Sequence, residues 1–292
     1  MKEAEASSTA FTVVQGILYV SAQSRYAGVV SNDQVMACRR ILEATVEGRR
    51  RLKQLESPLF LAAVPLMEYS LTPGLLLHYP LRKRFFEDAC VRSLNSGYTQ
   101  VVNIGAGFDT LLWRLHARHP NVNFIEIDHP ASSQVKQEAV TDKGPNLSLL
   151  PVDLSKTRLK DALGGFKAFD PSLRTFYICE GVLMYLEKAD VSGVFESLRA
   201  MTGAGSRFAF SAVSPMGSST NNTRLLLRLY LKIKNEPLAW SLEPSELEAF
   251  SKAQGYRVLE TGDDEKLLRQ FAPGVSSGTV HRGEFLAVTE AD

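Results

Sequence analysis

The chain predicts an α/β fold: a mostly parallel seven-stranded sheet with helices on both faces, an N-terminal helical cap and a lid inserted after the fifth strand. Three observations carry that prediction. VVNIGAGFDT at 101–110 is an apolar run ending in Gly-Ala-Gly and opening a helix-like segment, and FIEIDHP at 124–130 is a second apolar run closing on Asp128. Strand, glycine turn, helix and strand in that order make half of a nucleotide-binding unit. Helical segments separate the first five apolar runs, as crossovers between parallel strands require.

Taken from the N-terminus, residues 1–10 predict a flexible lead. FTVVQGILYV is broken by Gln15 and Gly16 and is too short to span a bilayer, and MKEAEASSTA lacks the positive charge of a secretory signal. A soluble, unexported chain with no membrane partner is expected. Helical patterning covers about 35–55 and 81–94, where Leu81, Phe85, Ala89 and Leu94 recur among charges. Between them Pro58, Pro65, Pro73, Gly74 and Pro80 predict turns that interrupt any long helix. Residues 1–95 are thus a helical cap on a core spanning 96–292, all within a single domain.

Strands are predicted at 100–104, 122–127, 147–152, 174–179, 206–212, 256–260 and 284–289. SPMGSSTNNT at 214–223 is a polar loop, and the amphipathic stretch after it is either core packing or a substrate-covering lid reaching to about 240. No repeat or low-complexity tract interrupts the pattern.

Composition narrows the partners. Lysines and arginines number 33 against 32 acids, a net charge of +1, so nothing in the total favours a phosphate backbone and no nucleic-acid partner is expected. The one basic cluster, Arg49-Arg50-Arg51-Leu52-Lys53, stands among Glu43, Glu47 and Glu56 and predicts a solvated helix face. Cys38, Cys90 and Cys179 are far apart and match no metal spacing, so a reducing cytoplasm and no metal are expected. Oligomeric state leaves no mark on the sequence.

The glycine turn points to a ligand with a ribose. Its glycines allow close backbone approach, and Asp128 at the tip of the next strand is placed to accept from a ribose diol. A dinucleotide site needs a third glycine where this chain has Thr110. That weakens the pyrophosphate reading and favours S-adenosylmethionine, which has a ribose and no phosphate; a dinucleotide enzyme and a purely structural βαβ unit stay open. Glu180 closes the fourth apolar strand, on the carboxyl edge where Gly105 and Asp128 also lie. Asp153 and Leu154 end the third strand, placed either for adenine or for a helix cap. Asp109 either serves the site or simply opens a helix. Arg39 and Arg82 are candidates for an amino-acid carboxylate, which suits a guanidinium fork. His129 and His281 either edge the pocket or lie on the surface, and no histidine shows metal spacing.

The segments SNDQVMACRR, PLRKRFFEDA, VVNIGAGFDTLLWRL, FIEIDHP, PVDLS, CEGVLMYL and RGEFLAVT, in that order along most of the chain, resemble the leucine carboxyl methyltransferase family. These are class I S-adenosylmethionine-dependent enzymes with a Rossmann-like core, and the likeness is to the shorter bacterial branch. The resemblance implies cofactor contacts at Arg82, Gly105, Asp128, Asp153, Leu154 and Glu180. Arg39 takes a place where the phosphatase-methylating members have lysine. Those members also carry an Arg-Gly-Tyr-like element, whereas this chain has His78-Tyr79-Pro80-Leu81-Arg82 and an Arg-x-Arg-Phe-Phe pattern at 82–86.

The expectation is an O-methyltransferase acting on a small molecule and releasing S-adenosylhomocysteine. A carboxylate acceptor, with a pKa near about 4, is ionised at neutral pH and needs no base. A hydroxyl needs one, and the sequence offers no clear candidate, which tilts the expectation toward carboxyl methylation. Methylation of a protein C-terminal leucine is the alternative. A non-catalytic module that only binds S-adenosylmethionine is the second.

Overall fold

The structure is a computed structural model and describes residues 7–202, 205–224, 226–227, 238–276 and 278–292. Five helices come first: α1 (Ser8–Ser21), α2 (Asn32–Glu43), α3 (Val46–Glu56), α4 (Pro58–Leu71) and α5 (Leu75–Asn95). The core then alternates β1 (Gln100–Ile104), α6 (Leu111–His116), β2 (Asn123–Asp128), α7 (Pro130–Ala139), β3 (Leu147–Pro151), α8 (Leu159–Gly164), β4 (Thr175–Cys179), α9 (Lys188–Met201) and β5 (Arg207–Val213). After these come α10 (Leu247–Ala253), β6 (Tyr256–Gly262), α11 (Asp264–Phe271) and β7 (Glu284–Ala291).

The strands form one sheet in the order β3-β2-β1-β4-β5-β7-β6, with β7 antiparallel to both neighbours and the other pairs parallel. Alternation along each strand divides the apolar side chains between two cores. Val101, Phe124, Phe176 and Ala209 face one core with helices α1, α2, α5 and α6, while Val102, Ile125, Tyr177 and Phe208 face the other with α8, α9 and α10. Both faces are covered at the centre of the sheet, which is why β1, β2, β4 and β5 are apolar runs, while the edge strand β6 alternates buried and exposed residues.

Two consequences of this order position the site. The direction of winding reverses between β1 and β4, which opens a crevice at their carboxyl ends. Because β7 runs antiparallel, Glu284 pairs with Val213 at the carboxyl end of β5, so the residues leading into β7 reach the same edge.

The N-terminal region departs from the sequence reading in two places. Residues 8–10 belong to α1 rather than to a flexible lead, because Ser7 caps the helix by accepting from the Ala10 amide. Pro65 and Pro80 lie inside α4 and α5 instead of marking turns. Proline's fixed φ is helical, so each costs one backbone hydrogen bond without stopping the helix. The break falls at Thr72–Gly74 instead, where Gly74 takes φ +81° and lies against the backbone of Val280 and His281.

Among the described residues no single helix is long and apolar enough to cross a membrane; α4 and α5 pass such a test only as a pair, bent by 81°. The amphipathic stretch expected as core packing or lid lies largely outside the described residues, at 225 and 228–237.

Candidate active site

A cavity of about 1600 Å³ opens over the crevice, walled by the carboxyl ends of β1 to β5 and by α1, α4 and α5. It exceeds the roughly 300–1,000 Å³ of common ligand pockets and has room for two molecules side by side. Gly105 forms the turn out of β1 with φ +66°, and a β-carbon there would stand 2.4 Å from Cγ2 of Val182. The strand therefore meets the loop after β4 with no gap, and the Ala106 amide donates to Ile127 O at 3.1 Å, tying the turn to β2.

Asp128, half-buried at the tip of β2, lines the cavity and is held by backbone amides. The Gly107 amide donates to Oδ2 and the His129 amide to Oδ1 at 2.6 Å. Burial raises its carboxyl pKa, partly offset by those two donors. Asp153 and Leu154 face the same space. Asp153 also closes its own turn, accepting from Ser155 N at 3.0 Å and Ser155 Oγ at 2.6 Å, and the Ser155 bond leads the effects that lower its pKa. Asp153 does not cap the helix that follows, which begins at Leu159 with Arg158 at its N-cap; it closes its own turn and faces the cavity.

At the opposite end of the crevice lies a buried network of charges built on α5. His78 and Arg82 stand one turn apart, and both reach Glu284 at the start of β7: His78 Nε2 at 2.8 Å, Arg82 Nη1 at 2.9 and 2.7 Å. Arg82 Nε donates to Glu180 Oε1 at 2.8 Å, and Lys83 Nζ bridges Glu180 Oε1 at 3.0 Å and Asp109 Oδ1 at 3.3 Å. Asn103 Nδ2 donates to Asp109 Oδ2 at 3.1 Å, and the Leu111 amide donates to Oδ1. Asp109 thus opens α6 and anchors the network at once.

The charges hold one another ionised. Burial alone would push the Asp109 carboxyl up, but Lys83 and then Lys136 outweigh it and hold the group near 2. Burial opposes Glu284 in the same way, and Arg82 with His78 brings it well below the usual carboxylate range. Arg82 and Lys83 move oppositely, raised against burial by Glu284 and Glu180 for the first and by Asp109 and Glu180 for the second. Two atoms of the network, Glu180 Oε2 and His78 Nδ1, are buried with no hydrogen-bond partner among the described residues. A buried carboxylate oxygen in that condition is costly and calls for a donor from a ligand.

The structure brings Arg82, Gly105, Asp128, Asp153, Leu154 and Glu180 to the wall of this one cavity. Arg39 is the correction. The buried stripe of α2 is Gln34, Ala37, Cys38, Ile41 and Leu42; Arg39 falls off it, is exposed, and does not line the cavity. Arg51 departs from the solvated face expected of its cluster. Its side chain is 13% exposed, lines the cavity and donates to Thr12 Oγ1 and Gln15 Oε1. His281 is buried in the cavity wall rather than on the surface.

Lys83, Asn103 and Glu284 were not singled out from the sequence; Glu284 opens its strand, whereas Glu180 follows the carboxyl end of one. The three cysteines are buried; Cys38, at the cavity, has its thiol pushed up to about 12 by burial, so it is inert. Among the described residues no group of three or more His, Cys, Asp or Glu is placed to hold a metal ion.

A family model for leucine carboxyl methyltransferase matches residues 42–199, more than half of the chain and every residue of the crevice from Arg82 to Glu180. The chain belongs to the leucine carboxyl methyltransferase family. Among similar proteins, a putative S-adenosyl-L-methionine-dependent methyltransferase of Mycolicibacterium vanbaalenii is 32% identical over 142 residues, 47% of this chain and 46% of its own length. One of the same description from Mycobacterium marinum is 31% identical over 142 residues, 47% and 43%. The match thus spans less than half the length of each relative.

Many solved structures share the fold, two of them along most of the chain. A putative methyltransferase from Thermobifida fusca YX superposes with a TM-score of 0.59 at 16% identity, covering 87% of this chain and 94% of its own. A duf574 family protein from Streptomyces avermitilis MA-4680 does so with a TM-score of 0.60 at 13% identity, covering 99% and 98%.

Proposed function

We propose that the protein is an S-adenosylmethionine-dependent O-methyltransferase acting on a small molecule. The observation that carries this reading is Glu180 Oε2, buried and without a partner at the switch point, across the Gly105 turn from Asp128. An α-ammonium group would satisfy that oxygen while the ribose reaches Asp128. The named activity of the relatives supports the same donor.

When bound, S-adenosylmethionine supplies an electrophilic methyl group on a sulfonium. What this chain contributes is placement. Asp128, already oriented by the Gly107 and His129 amides, fixes the ribose; Glu180, oriented by Arg82 and Lys83, fixes the amino-acid end. Gly105 lets the backbone come close. The apolar wall of α1, α4 and α5, including Val13, Ile17, Phe60, Val64 and Leu76, excludes water and gives an acceptor a greasy surface to lie on. That wall supports a small organic acceptor in preference to a charged protein tail. The preference for a carboxylate rested on the lack of a base, and His281 in the cavity wall removes that ground.

Calorimetry with S-adenosylmethionine and S-adenosylhomocysteine is the test. Asp128→Ala should weaken both by roughly 10- to 100-fold, the worth of about one hydrogen bond to a charged group. No binding by the wild type, or equal binding by Asp128→Ala, would overturn the assignment. Label from the cofactor's methyl group should appear in a small-molecule product when the protein is incubated with cell extracts. Label found only in protein C-termini would instead establish the alternative acceptor.

A further inference from the structure

We infer that His281 is the base that takes the proton from a hydroxyl acceptor, so that the substrate is an alcohol, phenol or enol rather than an acid. The inference rests on the methyltransferase reading above and deepens it.

The protonation pattern of His281 is set by its neighbours. Nδ1 lies 2.6 Å from Oδ1 of Asn222, and the Asn222 amide cannot be turned round: Oδ1 also accepts from the Arg282 amide at 3.0 Å, and Nδ2 donates to Pro73 O at 3.1 Å. Nδ1 must therefore carry the hydrogen, and Nε2 has the lone pair. The backbone is fixed as firmly. The His281 amide donates to Gly74 O at 3.0 Å, and the Asn222 amide to Arg282 O at 2.7 Å. Three segments distant in sequence, the α4–α5 break, the loop after β5 and the lead into β7, converge to hold one imidazole in one tautomer.

Its location suits the role. His281 is 5% exposed, lines the cavity, and packs edge-on against His78 at 5.7 Å between ring centres. His78 bonds Glu284, which bonds Arg82, so the imidazole stands beside the network that holds the amino-acid end. Burial, His78 and Arg82 lower its pKa to about 3 against the opposing pull of Glu284, so the lone pair is free at neutral pH.

The step balances. The acceptor O–H bond breaks and its proton goes to Nε2; the oxygen pair forms the O–CH3 bond; the C–S bond breaks with its pair left on sulfur. One positive charge disappears from sulfur as another appears on the imidazole. The cavity therefore holds the same total charge before and after, which offsets the cost of charging a buried histidine.

The test uses the full chain and three readouts. Nitrogen NMR of histidine-labelled protein, with His281 assigned by its loss in His281→Gln, should show a neutral ring with hydrogen on Nδ1 at pH 7; hydrogen on Nε2 or on both nitrogens would overturn the proposal. The labelled product should be an ether and keep its methyl group in alkali, whereas release of labelled methanol would mark an ester and sink the base role. With that same acceptor fraction, His281→Gln should lower kcat about 100-fold or more while S-adenosylhomocysteine affinity stays within threefold. A histidine that only ties loops together would give a variant with lowered stability and near-normal kcat, which also overturns the proposal. Loss of cofactor binding by the wild type is the separate result that would overturn the methyltransferase reading itself.

Discussion

Gly105 and Val182 leave no room for a side chain between them: a β-carbon at 105 would stand 2.4 Å from Cγ2 of Val182, and the backbone there has φ +66°. Gly105→Ala must therefore both adopt a left-handed conformation and push the loop after β4 away. The expected result is a loss of about 1–3 kcal/mol in unfolding free energy and at least tenfold in cofactor affinity, since Glu180 rides on that loop. Adding Val182→Ala removes the clashing methyl and should restore part of the affinity, leaving the backbone strain. Thermal unfolding and calorimetry on both variants check this. Wild-type affinity in Gly105→Ala alone would show that the contact does not position the site.

Two arginines that the sequence treats alike should behave differently. Arg39 is exposed off the buried stripe of α2, so Arg39→Ala should leave cofactor affinity within twofold and stability within about 0.5 kcal/mol. Arg82 is buried between Glu180 and Glu284. Arg82→Ala takes the guanidinium from two buried carboxylates, leaving Glu180 to Lys83 and Glu284 to His78, and should cost about 3–5 kcal/mol of stability, so that loss of binding is accompanied by a lower unfolding temperature. Tenfold weaker binding in Arg39→Ala would restore that residue to the site.

The contrast shows what the sequence could disclose. Strand positions were legible because most are apolar runs bounded by breaks, and Gly105, Asp128 and Glu180 because each punctuates the end of such a run. Arg39 was misplaced because its type was weighed without its phase; the spacing of Ala37, Cys38, Ile41 and Leu42 already put it on the outer face. Glu284 and His281 were harder. They reach the site only because β7 is antiparallel, and strand direction is a property of the whole sheet, not of the segment HRGEFLAV. Lys83 was hidden by its neighbour, since nothing in Arg82-Lys83-Arg84 says which cation turns inward. Pro65 and Pro80 misled because a proline's effect depends on whether the helix gains enough elsewhere to absorb one lost hydrogen bond.

His281 gives the fold an acid sensitivity of definite sign. Its pKa is lowered from 6.5 to about 3, by burial first and then by His78, with Glu284 opposing and Arg82 adding. The unfolded chain therefore binds a proton below pH 6.5 that the folded chain refuses until near pH 3. Stability is lost across that interval at up to about 1.4 kcal/mol per pH unit from this one residue. Asp109 adds to the loss lower down, since its folded value near 2 lies below the ordinary 3.8 and its contribution fades as pH falls through that range. Asp128 acts in the opposite direction, because burial raises its pKa and protonation relieves it as pH falls. The clean measurement is a difference. Urea unfolding of wild type and His281→Gln at pH 7, 6 and 5 cancels the carboxylates common to both, and the wild type should lose about 1–2 kcal/mol more than the variant over that span. Parallel pH dependences in the two proteins would mean that His281 charges in the folded state, which is incompatible with an imidazole held neutral in the cavity wall.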